Sequence, residues 1–393
     1  MTNPINEYLD SIQGDLIDFT SRLIQCKSLT GDEREAAECV KREMEKLGFD
    51  EILVDSFGSV LGRVGHGESV FLYDAHIDIV DAKDEADWTH PPFSGHIEDG
   101  VLWGRGSVDT KSSVCAMVYG AHAMKQCGLL EGKTILVSAS VMEEDFDGEL
   151  LYQALKENDL NPNYCIIGEP SSLRLAVGHR GRAMYKVTTT GKSAHGSQPQ
   201  NGVNAIYKMN QIIANVERQQ QEFDQLVDVA EKGSVVLSNI ECRTASLNAV
   251  PDRCTVYLDR RLALGETEEM VAKEMDRIVE GTDATWEIYD AVGQAYTGKE
   301  VVLHTFLPAW ETDRAHPLVE AGQVAMKETL QRDGEVFKWE FSTNGFATND
   351  KYQVPTIGIG PGDLRLAHQK DERCDTAEIV AAAKIYAHIA CNI

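Results

Sequence analysis

Seven acidic and imidazole side chains fall where a chain of alternating strands and helices gathers its ligands. His76 and Asp78 follow the apolar run VFLYDA, and Glu143 and Glu144 follow ILVSASVM. Glu169 follows CIIG and precedes Pro170, which stops the strand. In open α/β sheets the carboxyl ends of the strands share one edge, and ligands bind there. Three separate strands thus deliver a metal-compatible residue to the same edge. Asp109 lies in WGRGSVDTKSS, a glycine-rich turn opening the next helix, and a distant histidine would complete the set, His368 in LAHQKDE being a candidate. A lone histidine beside a strand is usually structural; the convergence is what assigns these residues to chemistry.

Carboxylates this dense repel one another and shift their pKa values upward unless a cation neutralises them. A metal pair resolves the conflict, with His76, Asp109, Glu144, Glu169 and a distant histidine, for which His368 is a candidate, as its ligands. Mixed imidazole and carboxylate donors suit zinc, with cobalt or manganese as alternatives. An aspartate bridging two ions about 3.5–4 Å apart is the two-metal hydrolytic arrangement. Asp78, two residues after His76, is placed to accept the other imidazole N–H and fix the tautomer. Adjacent residues on a continuing strand point to opposite faces, so Glu143 and Glu144 divide two jobs, metal ligand and general base. A solvated acidic loop is the plainer reading of such a pair, since Asp145 and Asp147 extend the run.

The elements that must position these residues read as α/β. Residues 5–27 and 31–47 have helical spacing, and short apolar runs follow at 51–55, 59–64 and 70–75. A helix over 111–127 leads to the continuous apolar strand 134–142, and 164–168 is a second such strand. From about residue 179 the order becomes strand 183–190, helix 203–222, strands 234–242 and 254–262, helix 266–280 and a strand near 285–290. That is the β-α-β-β-α-β order of a ferredoxin-like split unit. Helix 317–331, strands near 336–341 and 354–359, and a helix over 376–391 complete the pattern. The expectation is a discontinuous catalytic domain, 1–178 plus 296–393, on a mixed, largely parallel sheet, interrupted by an inserted domain at 179–295.

Composition limits the partners. At 393 residues, 42% hydrophobic and 25% charged, the chain suits two folded domains. It carries 37 basic against 63 acidic residues, a formal charge of −26, which repels a phosphate backbone and argues against nucleic acid. The start MTNPINEYLD lacks the basic and apolar segments of a signal peptide, and no run of about 20 apolar residues occurs, so no membrane partner is expected. Nine scattered cysteines with no C-x-x-C pair fit reduced thiols in a cytoplasm. Cys115, Cys127, His90, His96 and His122 are assigned to structure.

Several segments resemble the family of di-zinc aminoacylases, acetylornithine deacetylases, succinyl-diaminopimelate desuccinylases and carboxypeptidase G, a zinc-exopeptidase-like fold. They are DAHIDIV (74–80), WTHPPFSGHIEDGVLWGRGSVDTKSS (88–113), MEED (142–145), IIGEP (166–170), GKSAHGSQPQNGVNA (191–205), NAVPDRCTVYLDRR (248–261) and GPGDLRLAHQKDE (360–372). Their order and spacing match over nearly the whole chain. Within the family the chain looks most like hydrolases tied to selenium-dependent purine metabolism. The resemblance implies that His76 and Glu169 bind one metal, Glu144 and His368 the other, and Asp109 bridges. It makes Glu143 the base and Asp78 the orienter of His76. The inserted domain becomes a lid and homodimer surface whose His195 reaches across the dimer to the scissile carbonyl. Asn248 and Arg261 match positions used on the substrate's oxyanion and carboxylate; an outward strand residue in an ion pair is the other reading of Arg261.

One segment departs from the family. Where relatives carry a Gly-Thr or Ser-Asp-Gly stretch that helps bind substrate, this chain reads FSTNGFATND, with Thr343, Asn344 and Gly345 as the best match. Asn in place of Asp removes a negative charge, and with it the basis for preferring a cationic side chain. The expected activity is hydrolysis of an N-acyl or N-carbamoyl amino acid. Dipeptidase or carboxypeptidase action shares the whole metal set, and a non-catalytic metal-loaded binding protein has no use for the free carboxylate of Glu143.

Overall fold

The computed structural model describes residues 3–226 and 233–393. Its larger unit is built on a nine-stranded mixed sheet. The path runs Glu51–Val54, Val60–Gly65, Lys133–Ser140, Ser69–His76, Tyr164–Ile167, Thr356–Gly358, Leu175–His179 and Trp310–Glu311, with Val336–Trp339 beside Leu175–His179. The four strands from Lys133–Ser140 to Thr356–Gly358 are mutually parallel, and the outer pairings are antiparallel except that of Val336–Trp339. The parallel centre coincides with the continuous apolar runs, because helices cover both faces there. Phe71, Tyr73, Ile135, Val137 and Ile166 are fully buried, against helix residues such as Met117 and Ile385. Burying a side chain of that size contributes about 1.5–3 kcal/mol. Helix Lys111–Gln126 is buried almost throughout, with the C-terminal helix Thr376–Cys391 packed on it.

The smaller unit has the order strand Gly181–Thr190, helix Ala205–Asp224, strands Ser234–Arg243 and Arg253–Leu262, helix Glu268–Val279 and strand Thr285–Ile288. The sheet arranges these strands as fourth, first, third, second, all antiparallel, which is the ferredoxin-like topology. It has its own core, including Tyr185, Val187, Met209, Ile212, Val256 and Leu258. Arg260 is buried in it because Glu266 and Glu274 both pair with its guanidinium. One further short strand, Phe306–Leu307, pairs with Ala183 and Arg182, so the chain stays on the small sheet beyond residue 295.

The structure departs from the sequence reading at three places that bear on the site. The first helix is two, Pro4–Ser11 and Gln13–Gln25, broken at Ile12 next to Gly14, a poor helix former. The strand expected to run to 142 ends at Ser140; Met142 turns left-handed at φ 57° and a short helix, Glu143–Phe146, begins. A three-stranded sheet of His96–Glu98, Val101–Trp103 and Arg373–Asp375 was not evident from the pattern, its strands being three residues each. All nine cysteines are free, and five are buried. Among the described residues no helix is long and apolar enough to cross a membrane.

Glu43 locks the N-terminal helices to the helix that follows Asp109. Its carboxylate is surrounded by Arg22 at 2.7 Å, Lys46 at 2.9 Å and the Tyr119 hydroxyl at 2.9 Å. Burial acts to raise its pKa, but these three partners outweigh it and hold it below the usual 4.5. A depressed carboxyl stabilises the fold above its unfolded pKa, and that stability is lost as pH falls through the folded value. Glu43→Gln should therefore cost about 1–3 kcal/mol at neutral pH, with the gap to the parent closing below pH 4.5. Urea midpoints at neutral and acid pH check this; equal midpoints at pH 7 would contradict it.

Candidate active site

The carboxyl ends of the parallel strands place the ligand-type residues together. His76 is the last residue of Ser69–His76, and its Nδ1 lies 3.0 Å from the Asp78 carbonyl oxygen and 3.4 Å from Asp78 Oδ1. A proton on Nδ1, donated to Asp78, leaves the Nε2 lone pair facing oxygen atoms. Nε2 stands 3.0 Å from Asp109 Oδ1, 3.7 Å from Glu169 Oε1 and 3.9 Å from Glu143 Oε2. The other oxygen of the same aspartate, Asp109 Oδ2, is 3.0 Å from His368 Nε2, which is 3.1 Å from Glu144 Oε2. Asp109 thus lies between two groups of ligand-type side chains, one at each end of its carboxylate.

Around a tetrahedral ion with bonds of about 2.1 Å, donor atoms stand roughly 3.4 Å apart, which matches the spacings above. Glu144 Oε1 is buried without a hydrogen-bond partner. One atom each from His76, Asp109 and Glu144, and likewise from His76, Glu143 and Glu169, converges within 4.8 Å. The donor set fits a divalent cation.

Electrostatics point the same way. Burial pushes the Glu143 and Glu169 carboxyls well up, with Glu169 acting on the first and Asp109 on the second. Burial and Asp109 likewise raise Glu144, against a bond from His368. Asp109 goes the other way: burial would raise it, but His368 and His76 hold it well below the carboxylate range. Asp109 and then Glu144 push His368 up to about 10. Burial alone would lower His76, yet Asp109 and Asp78 hold it far above its ordinary value. Clustered negative charge withdrawn from water draws protons onto the glutamates and the two histidines, while the histidines keep Asp109 ionised between them.

The backbone around these residues is held by carboxylates and a lysine. Asp78 Oδ1 accepts from Glu143 N–H at 3.0 Å; Oδ2 accepts from Glu144 N–H at 3.1 Å and the Thr30 hydroxyl at 2.9 Å. Asp78 therefore anchors the Glu143–Glu144 turn as well as His76, whose closer partner is the Asp78 carbonyl. Because Glu143 and Glu144 open a helix rather than continue a strand, their directions differ by a helical step, and both reach the cluster. Glu372 accepts from the N–H groups of Gly106, Val108 and Asp109 at 3.0, 2.8 and 3.1 Å and pairs with Arg105 at 2.6 Å. Lys111 Nζ donates to Cys26 O at 2.6 Å and Leu23 O at 3.2 Å. His368 itself sits at φ 60°, a left-handed conformation that non-glycine residues adopt at a cost and that concentrates at functional sites.

The other sequence-predicted residues stand apart from this cluster. His195 and Asn248 are exposed on the small unit, His195 Nδ1 shared with Ser197 Oγ at 2.8 Å and Asn248 Oδ1 accepting from Ser246. Arg261 pairs with Asp259, two residues back on the same strand face, at 2.9 Å, the ion-pair alternative for that position. Thr343 donates its N–H to His179 Nδ1 at 2.8 Å. Asn344 is buried and spends both amide hydrogens, on Asp74 Oδ2 at 2.7 Å and Ser140 Oγ at 2.9 Å, which ties it to the strand ends. Gly345 is fixed by packing, since a Cβ there would lie 2.5 Å from Trp310.

Sequence reasoning passed over Glu372, Lys111, His179 and the chain Arg182–Asp147–Ser342, linked at 3.1 and 2.7 Å. Glu372 lies in the matching segment 360–372, but a loop has no period by which to choose it over Asp371. Burial holds His179 down at about 3, so it is neutral, with an Nε2 that has no partner. A cavity of about 360 Å³ adjoins the cluster on the Thr30, Met142 and Asp145 side and is also lined by Arg182, Met184 and Tyr289.

A family model, peptidase family M20/M25/M40, matches residues 72–392. The uncharacterized protein YgeY of Escherichia coli K12 is 33% identical over 389 residues, covering 98% of this chain and 96% of its own. A succinyl-diaminopimelate desuccinylase of Hydrogenovibrio crunogenus is 26% identical, over 96% and 98%. Among solved structures, an M20 family metallo-carboxypeptidase, Sso-CP2 of Sulfolobus solfataricus, superposes with a TM-score of 0.76 at 17% identity, covering 96% and 98%. The Bacillus subtilis YXEP protein, a dinuclear metal-binding peptidase of the M20 family, gives 0.69 at 17%, covering 97% and 98%. The chain belongs to peptidase family M20/M25/M40 and is a hydrolase of the metallopeptidase class.

Removing the brace under the shared aspartate should be felt at the metal. Glu372→Ala frees three N–H groups of the Gly106–Asp109 segment, and metal affinity should fall about 10–100-fold while the fold persists. Competition with a chelator measures this; unchanged affinity would show that the segment holds itself.

Proposed function

We propose that the protein is a two-metal amidohydrolase that releases an N-acyl or N-carbamoyl group from an amino acid. The observation that carries this reading is the divided carboxylate of Asp109, one oxygen on the His76 group and the other on the His368 group. In this assignment His76 and Glu169 hold one ion, Glu144 and His368 the other, and Asp109 both. The dinuclear site named for the Bacillus subtilis relative supports it. Zinc suits the donors best, with cobalt or manganese as substitutes. Such ions supply Lewis-acid polarisation of the scissile carbonyl and activation of water at neutral pH.

The chain's own residues do the rest. Glu143 faces the His76 group but stands outside the pairing of His368 with Asp109 and Glu144, so its carboxylate is free to take a proton from water and pass it to the leaving nitrogen. Asp78 holds the base in place through the backbone N–H of Glu143. The adjoining cavity accommodates an amino-acid-sized group, with apolar walls from Met142, Phe146 and Met184 and polar contacts from Asp145 and Arg182. Acyl removal is preferred over peptide cleavage because the desuccinylase relatives, which by name remove an acyl group, are similar in sequence over nearly the whole chain. The carboxypeptidase likeness at 17% identity carries only the fold.

His195 completes the site from a second copy in this reading. It is exposed on the small unit together with Asn248, and the same unit presents Ile206, Tyr207 and Ile213 to solvent beside the edge strand Ser234–Arg243 with its exposed Val236 and Ile240. An apolar patch beside an unpaired edge suits a symmetric partner.

The test combines substrate and subunit. Zinc-reconstituted protein should hydrolyse one class within a panel of N-acetyl, N-succinyl and N-carbamoyl amino acids and dipeptides, and lose that activity on chelation. Glu143→Gln should retain metal without turnover, and His195→Ala should lose about 10²–10³ in kcat. Mixing and reassembling the two inactive chains should restore roughly a quarter of the parent rate, since half the dimers then carry one intact site. No recovery from mixed chains would rule out action of His195 across the dimer, full activity of His195→Ala would remove it from the site, and activity confined to dipeptides would replace the deacylase reading.

A further inference from the structure

Two histidines that read as structural in the sequence meet on the three-stranded sheet. His96 and Glu98 are two residues apart on strand His96–Glu98, so their side chains share one face. His90 arrives from the preceding loop and stacks on His96, ring centroids 4.1 Å apart and planes 25° apart. His90 Nε2 is 3.4 Å from Glu98 Oε2. One ligand atom from each of the three lies within 4.8 Å of the other two. His96 Nε2 is buried and has no hydrogen-bond partner, which ordinarily costs about 1–3 kcal/mol.

The backbone carrying these groups is already fixed. Pro91 and Pro92 follow His90, and the Pro91 carbonyl accepts from Ser94 N–H at 2.9 Å and Ser94 Oγ at 2.7 Å. The Gly95 carbonyl accepts from Ser21 Oγ at 2.7 Å, anchoring the residue before His96. Trp103, the ladder partner of His96, sets its edge against His90 at 5.1 Å, and Arg373 covers its ring at 4.8 Å. Glu98 remains exposed and free to swing towards the rings.

From this geometry we propose a third metal site at His90, His96 and Glu98, separate from the central cluster. Two imidazoles and one carboxylate select a borderline divalent ion, Zn²⁺, Ni²⁺ or Cu²⁺, over Mg²⁺ or Ca²⁺, and leave a coordination position for water. Occupancy gives the buried His96 nitrogen a partner. It also turns the two rings out of their stack so that their lone pairs converge, which changes the surroundings of Trp103.

The test is a Ni²⁺ titration of zinc-reconstituted protein, with bound divalent ions counted per chain and tryptophan fluorescence followed. The parent should bind one more ion than His90→Ala/His96→Ala, and the count difference does not depend on how many ions the central site takes. Trp103→Phe should keep the additional ion and lose the fluorescence change. Glu98→Gln, at an exposed position, should weaken that ion about tenfold or more. Equal counts in parent and double variant would overturn the site. If the double variant does not fold, unchanged affinity in Glu98→Gln overturns it as well.

Discussion

Four carboxylates, from Asp109, Glu143, Glu144 and Glu169, crowd around the buried ring of His76 and the half-exposed ring of His368, and among the described residues their ion pairs are all with these two histidines. Two histidines cannot balance that charge in a medium where each unit of charge is costly to bury. The opposing shifts record the strain: glutamates drawn towards their neutral forms, histidines towards their charged ones, and Asp109 pinned between them. Divalent ions relieve all of these at once. The architecture is intelligible as the means of holding so many acids together until ions arrive.

That holding is done by the chain around the ligands. Asp78 uses both oxygens on the backbone of Glu143 and Glu144, and Glu372 uses its own on the segment ending at Asp109. Each is a carboxyl group placed just behind a ligand-type side chain and accepting from backbone N–H groups, so the loops are fixed without drawing on the oxygens that face the centre. The three-stranded sheet serves the same end: Val101–Trp103 runs into the Gly104–Asp109 segment, and Arg373–Asp375 follows the His368–Glu372 loop. The two loops that meet at Asp109 are thereby parts of one small sheet.

Much of this was legible in the sequence because the relevant signals are local. Continuous apolar runs ending in His76, in Met142 before Glu143, and in Gly168 before Glu169 announce buried parallel strands with acids at their ends. The order of strands and helices between 181 and 288 announces the ferredoxin-like unit. What was not legible depends on contacts between distant segments. Glu372 meets Gly106 across 266 residues, and Asn344 meets Asp74 across 270. Neither period nor motif spacing encodes such a meeting. Asn344 is the instructive case: similarity suggested a side chain for substrate, and its partners turned out to be the strand ends. His90 and His96 read as structural because a hairpin of three-residue strands leaves too little alternation to put them on one face.

One carboxylate serving two ions is the central claim about this site, and counting ions in Asp109→Asn tests it most directly. An amide presents one good acceptor oxygen and a donor where the second bond should be, so it cannot serve both groups of ligands. After reconstitution and buffer exchange, the parent should retain two tightly held ions in the central site, and Asp109→Asn should retain no more than one. Two ions held by Asp109→Asn as firmly as by the parent would mean that His76–Glu169 and Glu144–His368 are independent sites, and the shared carboxylate would lose its place at the centre of the mechanism.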